Sequence, residues 1–331
     1  MSSTNSKGRA VSRLRSVRRP RLASAAPNSR AVTTTESTSK SLIRSAHKET
    51  FGRALRANTL LDVIRRFRKT VWAHYREYGR HDLPWRKTRD LYRILVSEVM
   101  LQQTQVERVI PFYERFIMAF PTEKSLAAAP LSEVLIAWQG LGYNRRAKLL
   151  REAAQRLVHT PLSGTRLNLV KGLEALPGVG SYTARAVAAF AWNADVIVIE
   201  TNIRTAIIQS FFPKKKKVSD ADIEKVLAQV LPKGRAREWY SALMDYGAHL
   251  KRSGVSHNAR SATHTKQTRF AGSLREARGA VLRELSMGAA SRARLLGMLG
   301  VDRKEQVLAA LRDLGAEGLV RQEQGRYALP N

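Results

Sequence analysis

The sequence predicts an all-α body followed by a small winged-helix-like α+β module. Three observations predict it. Between residues 55 and 250 large apolar side chains recur at helical spacing in one segment after another. Only Val196 to Ile199 looks strand-like, and it is too short and isolated for a sheet, so it reads as a buried connection. Past Gly272 the pattern changes to three short helices and then two short strands about a polar turn.

Composition bounds the function. The chain has 331 residues, 44% of them hydrophobic, enough for one large or two smaller cores. No apolar run approaches the roughly 20 residues of a membrane span, so a soluble protein with no membrane partner is expected. The 58 Lys+Arg against 27 Asp+Glu leave a formal charge of +31. That excess argues for a polyanionic partner, and nucleic acid leads because no basic amphipathic anchor stands out. With no cysteine, the chain has no disulfide, no thiolate nucleophile and no cysteine-ligated cluster, and no metal or cofactor is expected.

Residues 1–54 are rich in Ser, Arg, Thr and Ala and poor in large apolar residues, and should be disordered. A DNA-binding arm, an organellar transit peptide and a solvated tail all fit that composition. A domain over residues 55–250 follows. Its first helix, about 55–78, carries an apolar face of Leu60, Leu61, Ile64, Phe67, Val71 and Trp72. Leu83-Pro84-Trp85-Arg86 breaks it. Further helices are expected at about 90–102, 106–120, 131–138 (closed by Gly140-Leu141-Gly142), 145–157, 184–192, 201–211, 220–231 and 237–250. Residues 251–272 form a basic linker. The module over 273–331 is expected to hold helices at 274–285, 291–299 and 303–317 and strands at 318–321 and 325–329. A small packing or dimerisation unit would share that outline.

The chemistry starts from Leu176-Pro177-Gly178-Val179-Gly180, which cannot continue a helix because proline lacks a donor and the glycines favour turns. The chain re-enters a helix at once, leaving backbone N–H groups that can seat a phosphate. Eighteen positions after Tyr182 stands Glu200, directly behind four aliphatic residues. It reads either as a helix-capping acid or as a carboxylate beside a DNA-binding hairpin. Glu98 interrupts an otherwise apolar helix. Burial would keep it protonated, as suits a general acid, whereas a surface-facing Glu would do nothing of the kind. Two acids in different environments are a recurring way to break a glycosidic bond.

These motifs resemble the helix-hairpin-helix DNA glycosylases, and among them the catalytic domain of the MutY-like adenine glycosylases. The resemblance runs from about Leu83 to His249. It rests on Leu83-Pro84-Trp85-Arg86, on Ser97-Glu98-Val99-Met100-Leu101-Gln102-Gln103-Thr104-Gln105-Val106, on Gly140-Leu141-Gly142-Tyr143 and on Leu176 to Thr183. It implies the helix-hairpin-helix glycosylase fold of two helical subdomains. It further implies that Glu98 protonates the purine ring and that Tyr182 supports the second carboxylate, Glu200. Gln103 and Tyr143 would wedge into the duplex where the base is flipped out. Arg86 would lie near the extruded base, Gly178 and Gly180 would hold a phosphate, and Asn202 would hydrogen-bond beside the catalytic acid. Endonuclease III-type enzymes carry a Schiff-base lysine where this chain has Tyr182, so the resemblance implies a monofunctional glycosylase with little or no lyase activity.

The chain departs from the family in four places. Glu200 stands where the family has aspartate, and Ser241 where adenine glycosylases often carry a glutamate that reads the base edge. The four-cysteine iron–sulfur loop after the last core helix is missing, and its place is taken by the basic stretch from Lys251. The family's C-terminal domain for 8-oxoguanine is not recognisable. The expected activity is removal of adenine opposite guanine or 8-oxoguanine from double-stranded DNA by a monomer. The alternatives are a mismatch thymine or uracil glycosylase and a catalytically silent DNA-structure binder. The expected place is the cytoplasm and nucleoid of a bacterium, or the nucleus or mitochondrion of a eukaryote.

Overall fold

A computed structural model describes residues 59–261 and 269–331. The expected N-terminal arm, the start of the first predicted helix and the middle of the basic linker lie outside the described residues. The chain divides after Leu61, and the fold below is that of residues 62–331.

Helix α1 (residues 62–78 within this unit) leads into a single 3-10 turn, Pro84–Arg86. Then come α2 (Leu91–Leu101), α3 (Val106–Ala119), α4 (Glu123–Ala128), α5 (Leu131–Ala137), α6 (Arg145–His159), α7 (Arg166–Glu174) and α8 (Ser181–Trp192). The body ends with α9 (Thr201–Phe211), α10 (Asp220–Val230) and α11 (Ala236–Arg252). Side chains at the N-caps fix many of the starts. The Asp90 carboxylate accepts from Arg93 N at 2.7 Å, and Thr122 and Ser219 each close a reciprocal capping box.

Two cores form. One gathers Leu95, Val96, Phe116, Trp138 and Leu150 from α2–α6, and the other gathers Phe67, Val71, Ile207, Trp239 and Tyr240 from α1 and α9–α11. Helix α8 serves both. It gives Ala184, Val187 and Ala188 to the first and Ala186 and Ala189 to the second. Alanine keeps helix propensity high while adding little bulk, so both layers close on one helix. The segment 193–200 that follows has no regular structure. The Tyr240 hydroxyl secures it, donating to Val196 O at 2.7 Å and accepting from Val198 N at 3.2 Å.

The C-terminal module holds α12 (Leu274–Leu285), α13 (Arg292–Gly297) and α14 (Lys304–Ala316), with antiparallel strands β1 (Ala290–Ser291), β2 (Arg321–Glu323) and β3 (Arg326–Ala328) in the order β1-β3-β2. Its buried Val281, Val307 and Leu314 belong to the first core. Lys148 Nζ donates to Glu317 O at 2.7 Å and Ser132 N to Pro330 O at 3.0 Å, so the module is docked on α5 and α6.

The structure adds elements that the pattern alone does not reveal. Helices α4 and α7 span only six and nine residues and are too short for a clear period. Helix α8 begins at Ser181 rather than Ala184, which puts Tyr182 in its first turn. The predicted helix at 291–299 is shorter, Arg292–Gly297, and its first predicted residue, Ser291, joins Ala290 in a third strand that pairs with β3.

One packing contact bears on everything near the cavity. A Cβ at Gly247 of α11 would lie 2.0 Å from Asn202 O in the first turn of α9. Both sides are backbone, so nothing flexible can yield. Gly247→Ala is expected to cost between about 1 and 3 kcal/mol of unfolding free energy, read as a lower urea midpoint at unchanged slope. A loss below about half a kcal/mol would show that α11 slides away freely.

Candidate active site

A cavity of about 990 Å³ opens between the end of α2 and first turn of α8 on one side and the N-terminus of α9 with α11 on the other. Glu98, Tyr182, Glu200, Asn202, Ser241 and Lys251 are among the residues that line it. The structure therefore brings together the two carboxylates and the tyrosine singled out in the sequence.

Glu98 sits in the last half of α2 and is only 5% exposed. Burial, and then the charge of Glu200, pushes its carboxyl up to about 7, while a hydrogen bond with Tyr182 pulls the other way. Tyr182 keeps 37% of its surface exposed, but its hydroxyl end turns inward to Glu98. Burial, followed by the charges of Glu98 and Glu200, raises the phenol well above its ordinary range, so it remains a donor. Gln102 Nε2 donates to Thr183 Oγ1 at 3.1 Å, tying the end of the Glu98 helix to the start of the Tyr182 helix.

Glu200 is the N-cap of α9. Its Oε1 accepts from Asn202 N and Ile203 N at 2.8 Å each, and its Oε2 accepts from Thr201 Oγ1 at 3.1 Å. The capping role and the place in the cavity are thus properties of one side chain. Backbone donors fix where the carboxylate sits, and the methylene that aspartate would lack is taken up in the side chain's return to its own helix. The Asn202 side chain lines the cavity beside it.

The hairpin between α7 and α8 needs glycine at Gly178 for two reasons. Its φ is +74°, and a Cβ would lie 2.8 Å from that of Leu149. Gly180 caps α8 in extended backbone with no side-chain acceptor, which leaves the first-turn N–H groups to other partners.

Arg86 also lines the cavity, but its guanidinium is held by Asp245 through Nη1–Oδ2 at 2.6 Å and Nη2–Oδ1 at 3.0 Å. Arg80 reaches the same carboxylate, Nε–Oδ1 at 2.7 Å. Burial would raise Asp245, but the hydrogen bonds and charge of Arg86, joined by Arg80, outweigh it and hold the carboxyl below its usual range. Gln103 and Tyr143 stand exposed at the edge of this region, both with positive φ, +56° and +48°. Arg146 joins their segments. It donates to Val99 O at 2.6 Å, Gln102 O at 2.8 Å and Gly142 O at 3.2 Å.

Sequence reasoning passed over Arg146 and the placement of Lys251. Nothing in a basic helix distinguishes one arginine. Lys251 was legible in principle, because the cavity face of α11 runs Arg237, Ser241, Met244, Ala248, Lys251 at a helical period that continues past 250. Burial lowers its ammonium against the opposing pull of Glu200. The Ser241 hydroxyl, in the cavity wall, donates to Arg237 O at 2.9 Å.

The residues after α11 do not fit a four-cysteine cluster, since the chain has no thiolate. Arg260 closes this loop instead, its Nη2 donating to Lys215 O at 2.6 Å and to Phe212 O just past the end of α9. Among the described residues, no group of three or more His, Asp or Glu is placed to hold a metal ion.

Residues 96–233 match the HhH-GPD superfamily of base excision DNA repair proteins. The adenine DNA glycosylase of Mycolicibacterium smegmatis is 38% identical over 273 residues, covering 76% of this chain and 92% of that protein. Adenine DNA glycosylases of Buchnera aphidicola subsp. Baizongia pistaciae and Mycobacterium tuberculosis H37Rv are 33% and 39% identical over 55% and 50% of this chain. The chain spans about half the length of these two, 52% and 56%. A solved thermostable thymine-DNA glycosylase superposes with a TM-score of 0.49 at 25% identity, covering 57% of this chain and 88% of its own.

The Glu98 environment has a measurable cost. Its folded-state value, about 7, lies above the ordinary 4.5, so folding takes up a proton between the two. The contribution to stability is fully present below about pH 4.5 and is lost as pH rises towards about 7. Glu98→Gln removes the titration and is expected to stabilise the fold at pH 8 by on the order of 3 kcal/mol, with no matching gain at pH 4. Equal urea midpoint shifts at both pH values would show that this carboxyl is not held protonated.

Proposed function

We propose that this chain, which belongs to the HhH-GPD superfamily of base excision DNA repair proteins and to the adenine DNA glycosylases within it, hydrolyses the N-glycosidic bond of a mispaired adenine turned out of double-stranded DNA, opposite guanine or 8-oxoguanine. One observation carries the reading. A buried carboxyl poised near neutrality shares, with a tyrosine and a helix-capping carboxylate, a cavity large enough for a nucleotide.

The chemistry follows from that arrangement. The flipped nucleotide enters the cavity, with Gln103 and Tyr143 supporting the opened duplex and the Gly178–Gly180 hairpin holding a phosphate. Glu98 gives its proton to the purine ring, so the base leaves as a neutral molecule. The sugar cation that remains is stabilised by the Glu200 carboxylate, with Tyr182 orienting Glu98 from the other side. Water adds to C1′ and its proton returns to the Glu98 carboxylate, leaving free adenine and an abasic site. Tyr182 offers no amine for a Schiff base, so the reading is monofunctional, and the protein acts as a monomer without a bound cofactor. The large positive charge supports DNA as the partner.

Ser241 favours a second reading. A hydroxyl already engaged within its own helix cannot read a base edge as a carboxylate would, and a thymine or uracil mismatch is the rival substrate. A silent DNA binder is the weaker alternative, since it gains nothing from a buried protonated acid.

Single-turnover assays on A:G, A:8-oxoguanine, T:G and U:G duplexes separate these. Adenine release opposite guanine or 8-oxoguanine is expected, and release from none of the four sinks both enzymatic readings. The acid must be protonated to act, so kcat/KM is expected to fall tenfold per pH unit above about pH 7. Glu98→Gln is expected to lose about 10²- to 10⁴-fold in rate. Glu200→Asp tests the cap: if the backbone donors fix the carboxylate, activity changes by less than about tenfold.

A further inference from the structure

Tyr143 is a bulky residue held in the left-handed region, φ +48°, with 38% of its surface exposed. Such a conformation persists only where surrounding groups impose it. Two guanidinium groups, from different parts of the chain, hold its side chain. Arg146 of α6 lies 5.5 Å from the ring centroid and is itself anchored to the carbonyls of Val99, Gln102 and Gly142. Arg275, in the first turn of α12, lies 5.6 Å from the same centroid and donates from Nη1 to the Tyr143 hydroxyl at 2.9 Å. Arg275 is also 5.9 Å from the ring centroid of Phe270, which is 57% exposed beside it.

We propose that Arg275 is a positioning residue for Tyr143, so that the C-terminal module is a working part of the apparatus that opens the duplex around the flipped nucleotide. The inference rests on the reading of Tyr143 as a wedge. A guanidinium suits the task because its plane stacks on a ring while its donors remain directional, and a lysine ammonium offers only the charge. The tyrosine hydroxyl is thereby fixed from the module while the ring's other contact is fixed from the Glu98 side of the body. Docking through Lys148, Ser132 and the shared core keeps α12 in register for this contact. A bare phosphate contact would leave Arg275 turned to solvent, whereas here the Tyr143 hydroxyl engages it.

The test uses the full chain with two duplexes, one fully paired and one carrying a tetrahydrofuran abasic analogue opposite guanine, together with 2-aminopurine beside the target adenine to report flipping. Arg275→Met is expected to weaken binding to the abasic duplex about tenfold, to reduce the fluorescence amplitude, and to leave paired-duplex binding within about twofold. Arg275→Lys is expected to restore little of this, and an unchanged thermal midpoint for both variants excludes a folding defect. The loss from Arg275→Met is expected to vanish in a Tyr143→Ala background. Equal weakening on both duplexes with a salt slope reduced by about one would make Arg275 a phosphate contact and overturn the proposal. Additive effects with Tyr143→Ala would overturn it too while leaving the wedge intact. If Tyr143→Ala alone leaves abasic binding unchanged, the wedge reading fails and the proposal with it.

Discussion

A carboxyl group that must stay out of water, a few side chains away from one that must stay charged, sets the terms for this fold. Glu98 can hold its proton near neutral pH only if α2 buries it and no cation lies close enough to ionise it. The cavity is nevertheless lined with arginine. Asp245 takes the guanidinium of Arg86 in a two-point contact, and Arg80 as well. The influences on Glu98 itself are burial, Glu200 and Tyr182. A buried ion pair is a weak stabiliser after desolvation, so the contact with Asp245 serves chiefly to fix where the two arginine side chains stand.

Glu200 obeys the opposite demand. Its carboxylate is placed at the N-terminus of α9, where unpaired N–H groups and the helix dipole favour negative charge. The same two backbone donors would receive an aspartate, so the substitution that looks most disruptive in the sequence need not move the charged group far. What it needs is a rigid α9 N-terminus. That comes from α11, which approaches so closely at Gly247 that its backbone rests on Asn202 O. One turn further along the same face of α11, Lys251 enters the cavity wall. The cavity wall beside Glu200 thus carries a cation that interacts with its carboxylate.

Much of this was readable beforehand. Glu98 announced itself as the one acid within a mostly apolar helix, and the glycine hairpin as a break that no helix could cross. Helices with ten or more residues and one apolar face, such as α3, α6 and α11, also declared themselves. Helix α4 did not, because its six residues span less than two turns and their boundary is set by a reciprocal Thr122–Ser125 cap rather than by period. Pairings between distant segments were equally silent. Arg86 with Asp245, and Arg275 with Tyr143, join positions 159 and 132 residues apart, and a single sequence holds no trace of such contacts. Tyr182 was legible by register, but the inward turn of its hydroxyl depends on α8 starting at Ser181.

The charge of the chain takes on a different meaning once its arginines are located. Arg146 donates to carbonyls at the end of α2, Arg68 to Val230 and Leu231 at the end of α10, Arg237 to Phe190 near the end of α8, and Arg151 to Ala129 after α4. Arg260 does the same beyond α9. Each of these ends presents unpaired carbonyls and the negative pole of a helix, and a planar cation with several donors satisfies both at once. Glycine in the left-handed conformation is the commoner solution, yet of these helices only α8 ends on a left-handed residue, Asn193. Part of the +31 charge is therefore committed to closing helices around the cavity, and the arginines that do so cannot also be counted as contacts to DNA phosphate. The cations left for DNA are those on exposed ground, such as the lysine run at Lys214, Lys216 and Lys217. Around the cavity, Arg86 and Arg80 turn to Asp245, and Arg237 turns to the backbone carbonyls of Phe190, Arg86 and Thr88.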